Sequence, residues 1–131
     1  MFITFEGGEG TGKTTLIEIV RKSLTDRGYD VVLTREPGGS GSEFSESIRS
    51  LVLDPKYKSV NPYSEALLYA ASRAQHLDEV IMPALKNKKI VLCDRYLDSS
   101  IAYQAYARKL GLDFVLNIND YALDKLPNLT F

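Results

Sequence analysis

Phe5-Glu6-Gly7-Gly8-Glu9-Gly10-Thr11-Gly12-Lys13-Thr14-Thr15 is the stretch on which the fold of this chain turns. Gly7, Gly12, Lys13 and Thr14 satisfy the spacing G-x-x-x-x-G-K-[ST] of a phosphate-binding loop. Gly7, Gly8, Gly10 and Gly12 let the backbone turn tightly, so that its N–H groups point inward at an anion. Residues 7 to 15, with Thr11 and Thr15 among them, are therefore the expected phosphate-binding set. Lys13 supplies a mobile positive charge, and the Thr14 hydroxyl can ligate a Mg²⁺ that travels with the phosphates. The flanks agree. Phe2-Ile3-Thr4-Phe5 is a short apolar strand, and Leu16, Ile17, Val20 and Leu24 mark the expected buried face of a helix starting near Lys13. Gly28 stands where a helix C-terminal glycine belongs.

At 131 residues the chain is expected to form one domain, residues 1–131. With 44% hydrophobic and 25% charged residues, its composition is that of an ordinary globular protein. The formal net charge of −1 argues against a general polyanion surface, so no nucleic-acid partner is expected. A single cysteine excludes an internal disulfide, and no Cys/His cluster suggests zinc. No stretch reads as a signal peptide or as an apolar run long enough to span a bilayer. A cytoplasmic protein without a membrane partner is the expectation.

Tyr29 to Thr34 reads as a second strand, running into the loop Arg35-Glu36-Pro37-Gly38-Gly39-Ser40-Gly41. Ser42 can cap a helix with Ile48, Leu51 and Val52 as its apolar positions and Pro55 as its stop. Tyr57 to Asn61 is a polar connection. A long helix follows from about Tyr63, with Leu67, Leu68, Ala71, Leu77, Val80 and Ile81 inward and a break or restart at Pro83. Ile90-Val91-Leu92-Cys93 is a continuous apolar run, as expected of a central parallel strand. Asp94-Arg95-Tyr96 follow at its carboxyl end. Helices from Ser99 to Leu110 and from Phe114 to Leu123 come next, and Leu129-Thr130-Phe131 starts a further strand. No helix follows that strand, so the chain is expected to be the N-terminal part of a longer protein.

Strands alternating with helices predict an α/β architecture, a parallel sheet between two helix layers. Ligands in such sheets collect at the carboxyl ends of the strands. The three polar clusters at 7–14, 35–41 and 94–96 are all expected there.

Together, Phe5 to Thr15, Thr34-Arg35-Glu36-Pro37-Gly38-Gly39, and Asp94-Arg95-Tyr96 with Ser99-Ser100 and Ala102-Tyr103-Gln104 resemble the bacterial thymidylate kinases. The resemblance implies a three-layer P-loop nucleoside monophosphate kinase fold, truncated before the lid and the last strands. It implies transfer of the γ-phosphoryl group of ATP to dTMP with Mg²⁺, giving dTDP and ADP in dTTP biosynthesis. It also implies a homodimer packed through helices, with the helix at 63–82 a candidate surface.

Roles follow from the same resemblance. Lys13, Glu9, Asp94 and Arg95 form the implied catalytic set, with Thr14 and Asp94 on the metal. Glu9 would contact the 3′-hydroxyl of dTMP; the bland alternative is a solvated acid. Gly10 stands where one branch of the family carries arginine, which implies that the catalytic arginine comes from the lid. Arg95 would bind the dTMP phosphate, because a guanidinium fork matches phosphate oxygens in two contacts. Arg35 and Arg49 are similar to the other phosphate-side arginines, and Glu36 would orient Arg95 or a metal-bound water. Tyr69 and Arg73 share a helix face; the ring would stack on thymine and the guanidinium would bond a base carbonyl. Ser100 and Gln104 would read thymine's polar edge, and Tyr103 would crowd the 2′ position. Tyr96, Asp98 and Ser99 are read as supporting or capping residues, and His76 and Cys93 as structural.

Three other readings stand beside this one; in one, the 131-residue chain as it stands binds phosphates without turnover, since the lid is missing. A deoxynucleoside kinase would use a carboxylate base and usually carries Glu-Arg-Ser where this chain has Asp-Arg-Tyr. A P-loop switch would need no acceptor nucleotide; its guanine signature is approached by Asn117-Ile118-Asn119-Asp120, which lacks the lysine.

Overall fold

Strands β1 (Phe2–Phe5), β2 (Val31–Arg35), β3 (Ile90–Asp94) and β4 (Leu129–Thr130) form one parallel sheet in the order β2-β3-β1-β4. The coordinates are a computed structural model that describes residues 1–57 and 59–131. Side chains alternate across a strand, so each strand supplies two faces. Phe2, Val91 and Cys93 enter one core cluster with Leu77, Ile81, Tyr96 and Leu97. Ile3, Phe5 and Leu92 enter a second cluster with Ile17. Both faces are apolar and both are covered, which gives the three expected layers.

Helix α1 (Lys13–Asp26) covers the second face through Ile17, with Val20 and Leu24 against it. Leu16 does not join them: it is 45% exposed and lies beside Phe131. The helix ends in a Schellman motif, with the Gly28 N–H donating to Thr25 O (2.9 Å) and the Tyr29 N–H to Leu24 O (3.1 Å). That cap consumes Tyr29, so β2 starts at Val31 rather than at Tyr29 and extends through Arg35.

Helix α2 (Glu43–Leu53) is capped by Ser42, whose hydroxyl accepts the Ser45 N–H. Pro55 stops it and opens a 3-10 turn, Pro55–Tyr57. Ile48 is buried, but Leu51 is exposed. The polar connection expected over Tyr57 to Asn61 includes Lys58, which lies outside the described residues.

Helix α3 (Pro62–His76) passes through a π turn, Leu77–Ile81, into α4 (Met82–Lys86). Pro83 therefore restarts the helix, the second of its two expected effects, rather than breaking it. It falls at the start of the segment after the π turn, where a missing N–H costs little. Leu77 and Ile81 are buried as expected, but Leu67 and Ala71 face outward. The inward face of α3 instead carries Ala66, Ala70, Ser72, Arg73 and His76. A hydrophobicity pattern misreads this helix because its buried side is partly polar.

Helix α5 (Leu97–Ser100) continues as a π segment, Ile101–Ala107, two residues earlier than the expected start and three short of the expected end. Wide bonds from the Leu110 N–H to Gln104 O and from the Gly111 N–H to Ala105 O close it, with Lys109 at φ 59°. The helix expected over Phe114 to Leu123 is two, α6 (Leu112–Ile118) and α7 (Asp120–Leu123), split at Asn119. Among the described residues no helix is long and apolar enough to cross a membrane.

One glycine of the 35–41 loop is indispensable on geometry. Gly39 has φ 147°, and a Cβ there would lie 2.2 Å from His76 Cδ2. The His76 ring is fully buried and bonded at both nitrogens, so it cannot withdraw. Gly39→Ala is expected to destabilise the fold by about 3 kcal/mol, read from urea unfolding. A cost below about 1 kcal/mol would show that the loop moves freely off the ring.

Candidate active site

The sheet register sets the site. Asp94 pairs with Phe5 on one side and Arg35 on the other, so the ends of β1, β3 and β2 stand in one row. The glycine loop, the 35–41 loop and the 94–96 turn leave from that row. Gly12, at φ 81°, turns the loop into α1, and no acidic side chain occupies the first turn of α1. The positive helix end is thus uncompensated and faces the loop. Residues 8–15 line a cavity with Arg95. Lys13 Nζ forms an ion pair with Asp94, at the end of β3. On the far side of Asp94, Thr14 and Asp94 share a further cavity with Thr34, Arg35 and Ser40.

A second cavity, of about 280 Å³, adjoins the glycine loop. Its walls include Glu9, Glu36, Arg49, Tyr69, Arg73, Arg95, Ser100, Tyr103 and Gln104. Nine of the ten residues expected to hold an acceptor nucleotide are thus brought together; Arg35 is not. Glu9 and Arg95 line both this cavity and that of the glycine loop. The two cavities therefore meet at those residues, which is the arrangement that two phosphate-bearing ligands placed end to end would need.

The thymidylate kinase family model matches residues 5–131. The chain belongs to the thymidylate kinase family. It is 62% identical over 131 residues to a thymidylate kinase of Acholeplasma laidlawii, covering 100% of this chain and 63% of that protein. To one of Bacillus licheniformis it is 54% identical over 131 residues, covering 99% and 61%. The chain thus spans about three fifths of the length of these family members. A crystal structure of thymidylate kinase from Ehrlichia chaffeensis superposes with a TM-score of 0.90 at 42% identity, covering 100% of this chain and 72% of that one.

Within this family fold, the buried charges choose partners that differ from expectation in two places. Glu36, expected to orient Arg95 or a metal-bound water, makes no hydrogen bond to Arg95. Its Oε2 accepts the Arg73 Nε–H at 2.7 Å, and its Oε1 lies 3.1 Å from His76 Nδ1. With the proton on Nδ1, His76 Nε2 can accept the Thr34 hydroxyl at 2.7 Å. Arg95 instead donates to the Ser99 hydroxyl, and its guanidinium lies 5.6 Å from the centre of the Tyr103 ring. Arg35 lies outside the acceptor cavity. Its Nη2 donates to both Glu46 oxygens, at 3.0 and 3.1 Å, on the Thr14–Asp94 side. The competing pair to Glu46, from the neighbouring helix, outbids the position that the loop sequence suggests.

Arg73 is 97% removed from solvent as a side chain and makes four polar contacts: Glu36, Asn119 Oδ1, Tyr96 O and Ser100 Oγ. It is held rigidly at the cavity wall before any ligand arrives. Tyr69 stands one turn earlier on α3, and burial raises its phenol above the ordinary value. Arg49 donates to Pro37 O at 2.8 Å, so it is part of the wall and not a solvated helix arginine. Ser100 and Gln104 are buried, and Tyr103 is half exposed at the rim. Cys93 is fully buried, and burial pushes its thiol well above the usual range.

Two residues in this network, Asn119 and Glu6, carried no assigned role in the sequence, and a third, Ser99, does more than its reading. Asn119 holds Arg73 from 46 residues away and donates its amide to Val115 O, breaking α6 from α7. No local signal marks it. Ser99 contacts Arg95, beyond the supporting role that its place after Tyr96 suggests. Glu6 accepts from the Tyr96 N–H at 2.7 Å and from Ser99 Oγ at 2.5 Å. An acidic residue at the end of a buried strand, next to a phosphate loop, is the signal that could have found it.

Proposed function

We propose that this protein transfers the γ-phosphoryl group of ATP to dTMP, giving dTDP and ADP in thymidine nucleotide synthesis. The reading rests on the junction of the two cavities at Glu9 and Arg95, in a chain of this family. Residues 1–131 act as one P-loop kinase domain. Residues 7–15 cradle the ATP phosphates, and Lys13 exchanges Asp94 for phosphate oxygens. Arg95 and Arg49 bind the dTMP phosphate, Tyr69 stacks on the base, and Arg73, Ser100 and Gln104 present polar atoms to its edge. Tyr103 crowds the 2′ position, and Glu9 accepts from the 3′-hydroxyl. Arg35 is not part of this set.

The Thr14 hydroxyl and the Asp94 carboxylate line one cavity, and both are hard oxygen donors of the kind Mg²⁺ takes. Among the described residues no group of three or more His, Cys, Asp or Glu could hold a metal by itself. Mg²⁺ would therefore be shared with the nucleotide's phosphates, whose developing negative charge it neutralises. The acceptor is already a phosphate oxygen, so the residues' work is placement and charge compensation rather than proton removal.

A cytoplasmic enzyme acting on these small molecules, without nucleic-acid or membrane partners, completes the proposal. So does a homodimer packed on the outward side of α3, where Tyr63 and Leu67 are each 51% exposed. Coupled ADP formation from the full-length protein with ATP and Mg²⁺ tests the reaction. Turnover is expected with dTMP and not with thymidine. Turnover with thymidine alone would make it a deoxynucleoside kinase, and hydrolysis indifferent to any acceptor would make it a switch.

A further inference from the structure

We propose that Glu6, acting through Ser99, is a positioning residue that aims Arg95 into the acceptor cavity. The inference rests on the reading of that cavity as the dTMP-phosphate site. Arg95 has φ 70°, a left-handed conformation that a residue with a side chain rarely adopts. Such a backbone persists only where its surroundings over-determine it. Here they do: the Arg95 N–H donates to Phe5 O at 2.9 Å, and the next N–H, of Tyr96, donates to Glu6 Oε1 at 2.7 Å. The end of β1 and the residue after it thus grip the turn at two successive residues. The second oxygen of Glu6 accepts a hydrogen bond from the Ser99 hydroxyl at 2.5 Å. Ser99 Oγ is then left with its lone pairs, and it accepts from Arg95 Nη1 at 3.1 Å.

The relay solves an electrostatic problem. A carboxylate bonded directly to Arg95 would orient it but also cancel the charge it offers to a phosphate. With the hydroxyl between them, Arg95 and Ser99 line the acceptor cavity while Glu6 stands behind, against the glycine loop. Glu6 is chemically distinct from a simple cap, because one carboxylate fixes both the backbone turn and the guanidinium's direction. It also joins the two halves of the site, since the residue next to it opens the phosphate loop.

The test measures dTMP and ATP affinities of the full chain for wild type, Ser99→Ala, Ser99→Thr, Glu6→Ala and Glu6→Gln. Ser99→Ala and Glu6→Ala are expected to weaken dTMP about tenfold while ATP changes less than about twofold. Ser99→Thr keeps the hydroxyl, and in Glu6→Gln the amide oxygen still accepts from the Tyr96 N–H while the amide N–H donates to Ser99 Oγ, which keeps a lone pair for Arg95. Both should stay within about threefold of wild type. Equal losses for both nucleotides, or an unchanged dTMP affinity in Ser99→Ala, would overturn the relay. If Glu6→Ala does not fold, Ser99→Ala and Glu6→Gln carry the comparison. If wild type itself ignores dTMP, the substrate assignment fails, and the relay is judged from ¹⁵N-labelled protein. The Arg95 Nε–H signal, identified by its loss in Arg95→Lys, should report an ordered side chain that becomes mobile in Ser99→Ala. An unchanged signal would reject the relay.

Discussion

Replacing Glu36 with alanine is expected to cost about 3–5 kcal/mol of stability, the usual penalty for leaving one member of a buried ion pair alone. The Arg73 and Glu36 side chains are only 3% and 4% exposed, so water cannot take the lost partner's place. Truncation also removes the acceptor at His76 Nδ1, and His76 is the ring against which Gly39 packs. Against a typical total of about 5–15 kcal/mol, such a loss is a large fraction of what holds a domain of this size. The measurement is a urea or thermal transition; a fall in Tm of about 10–20 °C is expected. Glu36→Gln should cost less, because its amide oxygen can still accept from Arg73. A change below about 1 kcal/mol in Glu36→Ala would mean that Arg73 finds solvent or another acceptor, and that the network is not a structural keystone. The same burial bears on Arg73→Ala. That variant would strand Glu36, so its loss of dTMP binding has to be read beside its loss of stability.

Lys13→Ala is expected to act in the opposite way, with a large effect on rate and a small one on the fold. Lys13 sits where a phosphate's developing charge would be met, and removing one preorganised cation or donor from such a site lowers kcat about 10²–10³-fold. Its partner Asp94 retains 25% exposure as a side chain, so water can solvate the carboxylate once the lysine is gone. The stability cost is then about 1–2 kcal/mol. Coupled ADP formation gives the rate, and urea unfolding gives the fold. A kcat lowered less than about tenfold, with the fold intact, would remove Lys13 from the reaction.

The local signals were legible without coordinates. Glycine and lysine spacing marked the phosphate loop, because few backbones besides this one turn so tightly into a helix. Ser42 and Gly28 announced a helix start and a helix end, since capping chemistry acts within a few residues. The apolar run at Ile90 to Cys93 marked the strand covered on both faces. Each of these depends on neighbours along the chain, and so can be read from it. Which partner a buried charge takes is another matter. Glu36 meets Arg73, 37 residues on, and Arg73 meets Asn119, 46 residues further, only because the order β2-β3-β1 lays α3 across the strand ends. Arg35 turns to Glu46, which the 35–41 loop brings back beside it on α2. The polar inward face of α3 and the π turn that carries the helix past Pro83 are likewise results of packing. Desolvation makes every buried ion find a counter-ion, but only the assembled sheet and helices bring the candidates within reach.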